Sequence, residues 1–142
     1  MGTRARGLRL PEEIEQAIGR EGEERGQSWS ATALDLLTEA LRMRRAPGII
    51  FVDGPTGRRA AIAGTGVDVW EVIATWRDGG QDYDDLRRNY SWLSEAQLRA
   101  ALGYHSLYPE EIDRRLEREA GWTPERVRRE MPFATPRRTR SG

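Results

Sequence analysis

The stretch TRARGLRLPEEIEQAIGREGEERGQSWSATALDLLTEALRMRR, residues 3–45, decides how the chain is read. Residues 5–10, from Ala5 to Leu10, are a short strand candidate. Pro11 follows where a helix would start, a place that tolerates proline because its missing N–H would be unpaired anyway. Glu12 and Glu13 complement the positive helix end. Ile14, Ala17, Ile18 and Gly22 then fall on one face. Gly26 suits the end of that helix, since glycine accepts positive φ. Ser28 is a good N-cap for a second helix, in which Trp29, Ala33, Leu34, Leu37, Ala40 and Leu41 recur at helical spacing. Arg42, Arg44 and Arg45 close it on its negative end.

A lone strand ahead of a helix pair has unpaired N–H and C=O groups on both edges. An antiparallel pairing with the same strand of a second chain satisfies one edge and lets the helices of both chains share a core. The expected product is a dimer carrying a two-stranded ribbon of a size that enters the DNA major groove.

Outward from this stretch, Ala46-Pro47-Gly48 breaks the chain, which divides it into residues 1–46, 47–120 and 121–142. The middle part opens with Ile49-Ile50-Phe51-Val52 and a multi-residue turn at 53–57. Residues 59–62 complete a hairpin. A helix is expected over 67–77, with Val69, Trp70, Val72, Ile73 and Trp76 forming a broad apolar face, ended by Gly79-Gly80. A shorter helix over 82–90 turns Tyr83 and Leu86 inward. Ser94 caps a third helix with Leu98, Ala101, Leu102 and His105 at helical spacing, and Pro109 starts a last one with Ile112 and Leu116 buried. The expected fold is thus mainly α, with an extended tail from Gly121.

Composition narrows the function classes. The chain has 142 residues, 37% of them hydrophobic and 32% charged, and its formal net charge is zero. Such a balance suits small cores completed by oligomerisation. Every basic side chain other than His105 is Arg, whose planar fork suits phosphate and carboxylate. The charges are uneven: Arg126, Arg128, Arg129, Arg137, Arg138 and Arg140 crowd the tail, whereas Asp78, Asp82, Asp84 and Asp85 cluster in the middle. With no Cys, disulfides, thiolate metal sites and a Cys nucleophile are excluded. No membrane span or signal peptide is recognised, and a cytoplasmic location is expected.

Two resemblances sharpen the reading. "GLRLPEEIEQAI…ERGQSWSATALDLLTEALR" resembles the ribbon–helix–helix repressors that serve as bacterial antitoxins. The resemblance implies that Leu8 and Leu10 point inward while Ala5, Gly7 and Arg9 face the groove. There Arg9 would read guanine with two hydrogen bonds. It places Arg4 and Arg6 on phosphates, and another phosphate on the backbone N–H groups near Ser28, Trp29 and Ser30. The run "GTGVDVWEVIATWRDGGQDYDDLRRNYSWLSEAQLRAALGYHSLYPEEIDRRL" resembles the bacterial domain of unknown function 433, which is helix-turn-helix-like and recurs in antitoxins of PIN-type ribonuclease toxins. Gly66 and Asp68 stand where that family commonly has Arg and Pro. In the module's own would-be recognition helix, residues 94–108, Arg99 is the sole arginine, and the preceding acids repel phosphate. Dimerisation or partner docking is the role expected of it.

Together these resemblances imply an antitoxin of the VapB kind: a dimer that represses its own operon at a palindromic operator and neutralises a PIN-type toxin. Toxin binding would bridge dimers into larger assemblies. The tail would hold the toxin through Trp122, Met131 and Phe133, with Arg137, Arg138 or Arg140 neutralising the carboxylates of its metal site. The rivals are a stand-alone dimeric repressor and an interaction protein that never meets DNA. No catalytic constellation is recognised, because His105 is alone, Ser28 and Ser30 lack a nearby base, and the glycines at 64 and 66 lack a following Lys. The pairs Asp84-Asp85 and Glu110-Glu111 splay across helix surfaces, so neither a metal nor a cofactor is expected. The five Trp residues read as core or interface anchors.

Overall fold

The computed structural model describes residues 2–55, 57–121 and 129. They contain six helices and one antiparallel hairpin, in two compact units divided between Arg45 and Ala46.

The first unit is a helix pair, α1 (Glu12–Arg25) and α2 (Trp29–Arg45). Gly26 ends α1 at φ 66°, the left-handed conformation that a residue with a Cβ adopts at a cost. The Ser28 hydroxyl accepts the Ala31 N–H at 3.1 Å and caps α2. Where the helices meet, Gly22 leaves room for Thr32: a Cβ added at Gly22 would lie 2.9 Å from the Thr32 hydroxyl oxygen. Gly22 and Thr32 are the only buried residues among those described in this unit. Ile14, Leu34, Leu37 and Leu41 are exposed. The pair is therefore ordered by caps and one close approach, without an apolar core of its own.

The expected strand at residues 5–10 does not form within the single chain, so the ribbon of the anticipated ribbon–helix–helix is absent here. These residues carry no regular structure, and Leu8, expected inward, is 75% exposed. The physical reason is local: no strand of the same unit offers an edge, and a strand without a neighbour leaves its backbone groups to water.

The second unit opens with β1 (Ile49–Gly54) and β2 (Gly57–Ile62), paired from Ile49↔Ile62 to Gly54↔Gly57. The ladder reaches further towards the turn than the sequence suggested. Four helices follow: α3 (Val69–Asp78), α4 (Tyr83–Asn89), α5 (Glu95–Leu107) and α6 (Pro109–Ala120). Helix α3 packs against all three other helices and β2. Its Val69, Val72 and Ile73 are fully buried, joined by Leu86, Leu98 and Tyr104 from α4 and α5. Each such aliphatic side chain contributes about 1.5–3 kcal/mol relative to exposure. Phe51 of β1 meets the Tyr104 ring edge-on at 6.2 Å, which ties the hairpin to the helices.

Helix α3 starts at Val69, two residues after its expected start at residue 67. Asp68 is its N-cap, in a reciprocal box with Glu71, whose carboxylate accepts the Asp68 N–H at 2.9 Å. The preceding glycines, Gly64 and Gly66, take φ of 75° and 70°. Thr65 stitches that turn, its hydroxyl donating to the Ile62 carbonyl at 2.8 Å and accepting the Val67 N–H at 3.0 Å. The Thr65 hydroxyl thus pairs with backbone groups on both sides of the turn.

Candidate nucleic-acid interface

The residues expected to meet DNA belong to the first unit. Arg4, Ala5, Arg6, Gly7 and Arg9 are all exposed in the segment ahead of α1. Ser28, Trp29 and Ser30 are exposed at the start of α2. There the cap takes the Ala31 N–H, while the N–H groups of Trp29 and Ser30 lie in the first turn, where no intrahelical acceptor exists. Trp29 has a structural role as well: its indole N–H donates to the Glu15 carbonyl at 3.1 Å. The ring lies 3.9 Å from where a Gly19 Cβ would stand. The indole thus braces α1 against α2, while the backbone of the same residue remains at the helix end. Among the first 45 residues acids equal arginines in number, so positive charge is local to residues 4–9 and the last turn of α2.

The helix-turn-helix-like part offers a different surface. Leu93 is buried in the turn between α4 and α5, and Ser94 caps α5 with Gln97 reaching back to its N–H. Arg99, the arginine expected on α5, is bonded to Glu95 (2.9 Å) and lies over the Tyr83 ring (5.1 Å). Its hydrogen bond to Glu95, with the charge of that carboxylate, raises its pKa above the ordinary arginine value. Of the acids beside it, Asp82 caps α4 by accepting the Asp84 N–H at 2.9 Å. Asp85 accepts from Asn89. These charges serve the helix ends and leave little positive potential for phosphate.

Three arrangements in the second unit escaped the sequence reading. Asp68, 6% exposed, receives the Arg59 Nε–H at 2.9–3.0 Å and the Trp70 indole N–H at 3.0 Å. The Asp68-to-Glu71 capping-box spacing was a legible signal for the cap, but not for the ion pair. Arg77 of α3, His105 of α5 and Asp113 of α6 converge, with Arg77 and His105 on one Asp113 oxygen at 2.7 and 3.0 Å. Bonds from His105 and Arg77 hold the Asp113 carboxyl below the ordinary carboxylate pKa. Tyr104, fully buried, donates its hydroxyl to Glu111 at 2.5 Å. The described residues contain no cluster of three or more His, Asp or Glu that would hold a metal. Of the residues expected to hold a toxin, Trp122, Met131, Phe133, Arg137, Arg138 and Arg140 all lie outside the described residues. No helix among the described residues is long and apolar enough to cross a membrane.

Among curated proteins none matches the chain. A solved structure, the crystal structure of a DUF433 member protein from Anabaena variabilis, is 28% identical. It covers 76% of this chain and 86% of its own, with a TM-score of 0.42. Residues 54–105, from the end of β1 through most of α5, match the family model described as protein of unknown function, DUF433.

Proposed function

We propose that the chain is a homodimeric DNA-binding protein acting as the antitoxin of a type II toxin–antitoxin pair. The observation that carries the dimeric part is the unfinished first unit. It buries Gly22 and Thr32 and leaves Leu34, Leu37 and Leu41 between 57% and 65% exposed. A second copy of the same helix pair would supply the missing core. The same association brings two copies of residues 5–10 side by side, giving each the edge it lacks and forming the ribbon that Arg9 would carry into the groove. The exposed first turn of α2 suits a phosphate on each side. Restraint of a PIN-type ribonuclease is assigned to the tail and the second unit on the resemblance alone. The second unit's neutralised α5 supports docking rather than groove reading.

Gel-shift titration on the chain's own promoter region tests the DNA reading. Arg9→Ala is expected to weaken binding by about 1–3 kcal/mol and relax specificity at one position of each half-site. Unchanged affinity would remove the ribbon from recognition. Truncation after Gly121 is expected to preserve operator binding and abolish co-purification with the product of the adjacent gene. If the truncated chain still binds that product, the tail is not the toxin-holding element. If the full chain binds operator but no such product, the stand-alone repressor is the correct reading.

A further inference from the structure

Helix α2 carries Leu34, Leu37 and Leu41 within about 60° of one another round its axis. Each lies about 140–180° from Thr32, the residue that meets Gly22 of α1, so this stripe faces away from α1. We infer that two copies of the chain join along the stripe with their α2 helices antiparallel. Leu34 of each copy then lies against Leu41 of the other, and the two Leu37 side chains meet at the centre. This orientation rests on the homodimer reading of the first unit and adds to it which ends of the helices meet. Leu34 and Leu41 stand equally far on either side of the Leu37–Thr38 peptide bond. Exposure along the stripe, 65%, 57% and 65%, has the same symmetry. A stripe that maps onto itself when reversed is complementary to a second copy, as a two-fold interface requires.

Leucines alone would also fit a parallel pair, and charge decides between the two. The last turn of α2 holds Arg42, Arg44 and Arg45, of which Arg44 and Arg45 are exposed and flank the stripe. At the other end the Trp29 indole N–H donates to the Glu15 carbonyl at 3.1 Å. That bond sets the start of α2 beside the acidic first turn of α1, which holds Glu12, Glu13 and Glu15. Each helix pair therefore has a basic end of α2 and an end flanked by acids. A parallel dimer would gather Arg44 and Arg45 of both copies at one end and the acids of both at the other. Like charges so placed repel. An antiparallel dimer turns the basic end of each α2 towards the acidic end of the other copy, and it sets the two helix dipoles in opposition.

The chain has no Cys, so single-cysteine variants of the full chain report the orientation without background. In the antiparallel pair Leu34 of one copy lies level with Leu41 of the other. The two Leu34 residues are then about 10 Å apart along the seam, beyond the roughly 7 Å between Cα atoms that a disulfide spans. Leu34→Cys chains and length-tagged Leu41→Cys chains, mixed in equal amounts under reducing conditions and then oxidised, should give the mixed disulfide as the main product. Non-reducing electrophoresis separates it from the two homodisulfides. Predominant homodisulfides would overturn the orientation and leave the homodimer standing. A parent chain that sediments as a monomer at every concentration would overturn both. Charge is tested separately by the Arg44→Gln/Arg45→Gln double variant, which leaves the leucines in place. Its dimer should dissociate about threefold more readily at low ionic strength, with the difference lost at high salt. A dimer as tight as the parent's, or tighter, would overturn the antiparallel arrangement.

Discussion

Leu37→Ala is the substitution that tests the missing core most directly. Leu37 is 57% exposed in the single chain, so a little over half of its burial remains to be gained on association. The change removes three carbon groups, each worth about 0.8 kcal/mol when fully transferred from water. Scaled by the exposed fraction, the loss is about 1.4 kcal/mol per protomer, and a two-fold interface counts it twice. The dimer should dissociate about a hundredfold more readily, with the helices of the monomer unchanged. Sedimentation equilibrium over a concentration series reads this directly. A Tm that rises with protein concentration in the parent, and does so less in the variant, is the independent check. Leu37→Glu should abolish the dimer, because two carboxylates would enter the same apolar seam. A parent chain that stays monomeric at micromolar concentration, or a Leu37→Glu variant that dimerises normally, would refute the reasoning.

Other expectations follow from single contacts. Gly22→Ala gains about 1 kcal/mol of helix propensity but forces a Cβ to within 3.0 Å of the Gln27 carbonyl and 2.9 Å of a Thr32 hydroxyl. That hydroxyl is itself held by the Ser28 carbonyl at 2.8 Å. Overpacking costs of about 1–3 kcal/mol should win, lowering Tm and, with it, operator affinity. Asp68→Ala should destabilise the second unit by about 2 kcal/mol, below the range for a fully buried pair because the Arg59 side chain, 33% exposed, can rehydrate; chemical denaturation measures it. The Asp113 carboxyl, with its pKa lowered in the fold, contributes stability that is present above the unfolded value of about 3.9 and is lost as pH falls through the lower folded one. The effect is small, since the Asp113 side chain is 43% exposed. The stability-versus-pH curve of Asp113→Asn should be flatter than the parent's below about pH 4, and parallel curves would refute the His105–Arg77 assignment.

The order of helices and the hairpin were legible in the sequence because their causes are local. Ser28 and Ser94 cap helices from one turn away, Gly26 ends one by its own φ, and apolar spacing near 3.6 residues marks each buried stripe. The strand expected at residues 5–10 failed for the complementary reason. Strand propensity becomes a strand only when another edge is present, and one chain does not supply it. Tertiary structure alone decided what Asp68 does. Its neighbour in space, Arg59, lies on the far side of a glycine turn, and the bond depends on the hairpin and α3 meeting. It likewise brought Arg58 and Arg59 of β2 to the same cleft as Arg115 and Arg118 of α6, and His105 to Asp113. Periodicity assigns a residue to a face, but which faces meet, and so which charges become neighbours, depends on the packing of the whole unit.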